Sequence, residues 1–241
     1  MANVTVAGGK GIVWTLPYGA TANAALASTL ASAITTLVND GRMTTFINSG
    51  QSGDTVPPAA AGTTGELIQT VSGLVSLPAA YKAVVVTAPS ATIFGGGAAG
   101  ESILSGSGNL SFFSSGGSGT VAAGGGNNLV MIQDFGTGNW NISTGAGNDT
   151  IDAGSGNDQI AAGGGSNSIL LGSGSDTVIS TGNDSIQATT GNATISASGS
   201  ASDFISGGIG HLTFINSSPN ASTILGGQGS ISVFGGPGGG L

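Results

Sequence analysis

From residue 91 onward the chain carries isolated large apolar residues at an almost constant spacing. They fall at Phe94, Ile103, Phe112, Val121, Val130, Ile142, Ile151, Ile160, Ile169, Val178, Ile186, Ile195, Ile205, Phe214, Ile224 and Val233. Of the fifteen intervals eleven are nine residues, and the others are eight, ten, ten and twelve. Between them lie Gly, Ser, Asn and Asp. A period near nine is the mark of a solenoid, in which no repeat buries its apolar residue alone and stacked repeats bury a continuous core. Each repeat reads as two or three extended residues with one side chain inward, followed by a glycine-rich reversal. Two repeats make one coil, and two rows of strands face each other across a thin core.

Upstream the pattern changes. In Thr21 to Asp40 the apolar residues Leu26, Leu30, Ile34, Leu37 and Val38 recur at three- and four-residue steps, which predicts a helix over about 21–40. Thr21 or Asn23 suits its start, and Gly41 suits the left-handed position just past its end. Short β-rich runs follow at Leu67 to Val71, Leu74 to Leu77 and Ala83 to Thr87, with Pro57 and Pro58 in a loop. The expected architecture is all-β: a parallel β-roll or β-solenoid over 91–241, preceded by a small α+β region over 1–90 that caps the roll or takes part in its assembly.

Composition sharpens this division. Of the 47 glycines among 241 residues, 10 lie in 1–90 and 37 in 91–241. The glycines lack the every-third-residue spacing of collagen. There is no cysteine, hence no disulfide framework and no thiolate zinc site. Three basic residues against eleven acidic ones give a net charge of −8 and exclude a nucleic-acid surface. No apolar run approaches the length of a membrane span. The cations are Lys10, Arg42 and Lys82; the 159 residues after Lys82 hold eight carboxylates and neither Lys nor Arg. Such carboxylates must stay solvated, repel one another or bind a cation.

Within Thr144 to Ile195 the repeats become specific. GAGNDTI runs from Gly145 to Ile151, GSGNDQI from Gly154 to Ile160, GSGSDTV from Gly172 to Val178 and TGNDSI from Thr181 to Ile186. These segments resemble the calcium-binding nonapeptide GGxGxDxUx of the RTX (hemolysin-type) family, where U is a large apolar residue. The resemblance implies a parallel β-roll, calcium between stacked turns, and export by type I secretion. Thr144, Ala153 and Leu171 replace the first glycine of the pattern. Asn167 and Ala193 replace the aspartate in two further repeats. Calcium-type repeats are thus expected over about 144–205.

Calcium takes six to eight oxygen ligands from carboxylates and carbonyls. Turns two repeats apart share one edge of a roll, so Asp158 and Asp176 stack. They form the first expected site, with carbonyls from Gly154, Gly156, Gly172 and Gly174. The other edge carries Asp149, Asn167 and Asp184, a weaker set because Asn brings no charge. Asp203 is expected near the first edge. Asp134, Asp152 and Asp203 read as ordinary turn residues.

Catalytic groups are scarce. His211 is the only histidine, and no carboxylate lies in its repeat. A polysaccharide lyase would need an Arg or Lys base that the repeats lack. The expected protein is therefore not an enzyme. It is a secreted, calcium-binding structural protein of adhesin, surface-layer or biofilm-matrix type, able to stack head-to-tail into fibres. Its expected partners are calcium, further copies of itself and an extracellular or cell-surface polysaccharide. The N-terminal MANVTVAGGKGIVW lacks the pattern of a Sec signal peptide. Two alternatives remain: a non-catalytic module of a larger exported enzyme or toxin, and an ice-binding solenoid using Thr181-Gly182-Asn183 and Thr190-Gly191-Asn192.

Overall fold

A computed structural model describes residues 2–18, 22–50, 55–97, 99–133 and 138–236. Two strands, β1 (Ala2–Gly8) and β2 (Ile12–Tyr18), form an antiparallel hairpin with Ala2 opposite Tyr18 and Gly8 opposite Ile12. Lys10 and Gly11, both at positive φ, make its turn. Helix α1 (Ala22–Asn39) follows and ends as expected at Gly41, φ 68°. Gly41 N–H donates to the Val38 carbonyl at 3.1 Å and Arg42 N–H to the Leu37 carbonyl at 2.9 Å, the paired bonds of a Schellman end.

Every later strand belongs to one of two parallel sheets. The first has eleven strands, from β3 (Met43–Asn48) at one edge to Ile231–Phe234 at the other; the second has nine, from Gly73–Ser76 to Thr223–Leu225. Successive strands alternate between the sheets from residue 64 onward, so each coil contributes one strand to each. Register keeps the inward residues in line: Val121 pairs with Ile142, Ile142 with Ile160, and Ile160 with Val178. These side chains are fully buried. At about 2 kcal/mol per buried Ile or Val, the thin core gains its stability by repetition.

Two features of the pattern shift. The inward residue of its strand is Ile93, while Phe94 points outward at 38% exposure. Phe94 stacks there on Phe113, with ring centroids 5.1 Å apart. An Ile-Phe pair at a strand end fits either phase, and the ten-residue step from Ile93 to Ile103 absorbs the difference. The sheets also begin at Met43, well before residue 91. Leu67, Val75, Val84 and Ile93 are inward residues of the same core, continuing the period upstream through sequence poorer in glycine.

The helix and hairpin form a second core against the outer face of the first sheet. There Val4, Val6, Leu16, Tyr18, Leu30 and Ile34 meet Ile68, Val85, Leu104 and Ala122. They sit on the flank of the roll, because these early strands turn apolar side chains outward. In later strands the register continues that outward row as Ser143, Ala161, Ile179 and Ser196, with Ile179 exposed. Tyr18 Oη donates to the Ala122 carbonyl at 3.0 Å and fixes the hairpin to the sheet.

Candidate metal centre

The Asn-Asp pair at the start of a strand performs two separate tasks. The aspartate side chain turns inward and reaches back one coil: Trp140 N–H donates to Asp158 Oδ1 at 2.7 Å, and Asp158 N–H donates to Asp176 Oδ1 at 3.0 Å. The preceding asparagine stays exposed and reaches forward: Asn157 N–H donates to Asn139 Oδ1 at 2.9 Å, and Ser175 N–H to Asn157 Oδ1 at 2.8 Å. Side-chain ladders of opposite direction therefore run beside the strand ladder.

The opposite edge carries a longer inward column. Asn128 N–H donates to Asp149 Oδ1 at 2.7 Å, Asp149 N–H to Asn167 Oδ1 at 2.8 Å, and Asn167 N–H to Asp184 Oδ1 at 3.0 Å. Asp184 N–H then donates to Asp203 Oδ1 at 3.0 Å, and Asp203 N–H to Ser222 Oγ at 3.1 Å. The structure thus brings Asp158 beside Asp176, and Asp149 and Asp184 to either side of Asn167. Asp203 belongs to the Asp184 column and not near Asp176, because the ten-residue step before Ile205 still delivers it to the second sheet. Asn128 in GGGNNLV and Ser222 extend this column; counting back from Asp149 in the repeat phase marks Asn128. Asp152 accepts from Gly154 N–H at 3.2 Å, an ordinary turn bond. Asp134 lies outside the described residues.

All five column aspartates are 1–3% exposed. Burial pushes the carboxyls of Asp149, Asp176, Asp184 and Asp203 above the usual range, and the charge of Asp203 raises Asp184 further. Ser180 Oγ lies 2.7 Å from Asp184 Oδ2 and 2.9 Å from Asp203 Oδ1, but its single proton serves one of them at a time. Asp203 Oδ2 is buried without a hydrogen-bond partner. Buried carboxylates deprived of donors are stabilised by a cation.

The oxygens present suit a hard cation. Among the described residues no three His, Cys, Asp or Glu side chains converge. An ion here would accordingly rest on at most two carboxylates plus carbonyl and hydroxyl oxygens, the donor chemistry of calcium. Of the four expected carbonyls, Gly172 O accepts from Gly191 N–H at 3.2 Å and Thr189 Oγ1 at 2.9 Å, and Gly174 O accepts from Asn192 N–H at 2.7 Å. The carbonyls of Gly154 and Gly156 press on Gly172 and Gly174 of the next coil, where no Cβ could fit.

Fold and columns together define a parallel β-roll with inward aspartates at its turns. Residues 143–178 and residues 179–211 each match the family model of the RTX calcium-binding nonapeptide repeat (4 copies), and that stretch resembles the RTX repeats. Searches of curated proteins and of solved structures gave no match. Repeats of this family bind calcium, and proteins that carry them are typically secreted. Calcium held there would supply the positive charge missing around the columns. Among the described residues no helix is long and apolar enough to cross a membrane. His211 is exposed, its Nδ1 2.7 Å from Ser230 Oγ and its Nε2 3.2 Å from Thr213 Oγ1.

Proposed function

We propose that the chain is an extracellular scaffold whose roll is stiffened by calcium held along the two inward columns, in an adhesin, surface layer or biofilm matrix. The observation that carries this reading is the stack of buried aspartates, reaching backbone N–H groups of the preceding coil, in sequence without Lys or Arg. Asp158 and Asp176 with carbonyls of Gly154, Gly156, Gly172 and Gly174 would hold one ion. Asp149, Asn167 and Asp184, joined by Asp203, would hold ions on the other edge. The proposed role is structural and involves no catalysis.

Head-to-tail assembly into fibres is part of the same proposal. It is favoured by β3, an edge strand of the first sheet that, among the described residues, pairs with Thr64–Gln69 alone while the helix packs on the flank. The test is circular dichroism and thermal melting with calcium and with chelator. Calcium bound to the folded state raises the melting temperature by linkage. Identical melting in chelator overturns the calcium reading, and monomeric light scattering at high protein and calcium concentration overturns the fibre.

A further inference from the structure

The function proposed above leaves the basic residues unused, yet two of the three converge. Arg42 and Lys82 line one cavity of about 440 Å³ between the C-terminal end of α1 and the start of the first sheet. Local backbone features place both. The Schellman end of α1 sets Arg42 at the rim. Strand pairing jumps from Gly65–Tyr81 to Glu66–Ala83, so Lys82 is the extra residue of a bulge, a device that re-aims a side chain. A second bulge lies alongside: pairing jumps from Ser118–Ala99 to Gly119–Glu101, leaving Gly100 at φ 78° on the cavity wall.

The cavity is amphiphilic. Ile34 and Leu37 of the helix and Met43 of β3 give it an apolar side, and Ser102 adds a hydroxyl. Neither cation is joined to a carboxylate among the described residues. On a chain of net charge −8, two cations facing an apolar wall are a local inversion of the surface. Its volume lies within the range of small-molecule sites, which pair apolar walls with a few placed polar groups.

We propose that this groove binds a small organic anion bearing an aliphatic chain, such as a medium-chain carboxylate. Its head lies between Arg42 and Lys82 and its chain against Ile34, Leu37 and Met43. The site is independent of the calcium columns and stands whether or not they hold metal.

Calorimetric titration of the full chain, calcium-loaded and freed of excess metal, tests it with octanoate, 1-octanol and inorganic phosphate. Octanoate is expected to bind saturably, and the other two at least about ten-fold more weakly, since each lacks one half of the recognition. Arg42→Gln and Lys82→Gln should each weaken octanoate by about ten-fold, whereas Lys10→Gln should not. Ala33→Trp, at an exposed helix position on the rim, should block the groove with the cations intact. Absence of octanoate binding overturns the proposal. So does octanol or phosphate binding as tightly as octanoate, or octanoate affinity unchanged in Arg42→Gln and Lys82→Gln. Calcium-dependent melting of each variant, read separately, keeps this outcome distinct from that of the metal sites.

Discussion

Asp176 accepts the backbone N–H of Asp158, 18 residues earlier, at 3.0 Å, so the side chain of one coil completes the backbone of the coil before it. The aspartate is therefore a structural acceptor as well as a candidate metal ligand. The two roles make different demands: the first needs an oxygen, the second needs charge.

Asp176→Asn and Asp176→Ala separate them. Asparagine keeps the acceptor, so melting without calcium should stay near that of the unaltered chain while calcium affinity falls. Alanine leaves the buried Asp158 N–H without an acceptor and should also cost about 1–3 kcal/mol of metal-free stability. Chemical denaturation in chelator, followed by calcium titration, reads both. Undiminished calcium binding by the asparagine variant would remove Asp176 from the ligand set.

Glu66 gives the molecule a pH dependence outside the repeats. It is buried beneath the hairpin, accepts from Thr45 Oγ1 at 2.5 Å through Oε2, and leaves Oε1 without a partner. Burial raises its carboxyl to about 7, and the Thr45 bond offsets part of that. A raised carboxyl favours the folded state when protonated. Its contribution is full below the unfolded value of about 4.5 and is lost as pH rises through about 7, by roughly 3 kcal/mol. Glu66→Gln should flatten this part of the stability curve between pH 4.5 and 8 at fixed calcium. A slope unchanged in the variant would assign it to other groups.

The stacked turns make a sharp prediction about glycine. A Cβ on Gly172 would collide with the carbonyl of Gly154, whereas a Cβ on Gly164 meets nothing within 4 Å. Gly172→Ala should destabilise by at least about 3 kcal/mol because backbone must move, and Gly164→Ala should fall within about 0.5 kcal/mol of neutral. Paired urea denaturation curves decide it, and equal midpoints would contradict the close stacking of coils.

Much of the roll was legible because its period is one-dimensional. The spacing of Ile142, Ile151, Ile160 and Ile169 defines strand, turn and coil at once, and the phase of Asp158 and Asp176 follows from it. What escaped the pattern lies where that phase drifts. Asp203 follows a ten-residue step, and only the three-dimensional path shows that it continues the Asp184 column. Ile93 and Phe94 offer two inward residues at one strand, and packing chooses the smaller. The flanking helix is legible as a helix, but its seat on Ile68, Val85 and Leu104 depends on strands that turn apolar residues to both faces. The hairpin at Ala2–Tyr18 carries no signal of comparable regularity. The groove at Arg42 and Lys82 is created by two bulges, which leave no periodic trace.

The opposed Asn and Asp ladders also govern how the roll should respond to force. Within the repeats a coil holds its predecessor through aspartate and its successor through asparagine, so such a coil leaves only by breaking bonds to both neighbours, while a coil at the end of the stack breaks one set. Pulled from its C-terminal end, the roll should unzip in order, releasing a length of chain set by the 18-residue coil at each step. Metal bridging two coils would make the calcium-bearing stretch the strongest link of the series, a segment that locks when the surrounding calcium is high and yields when it is withdrawn.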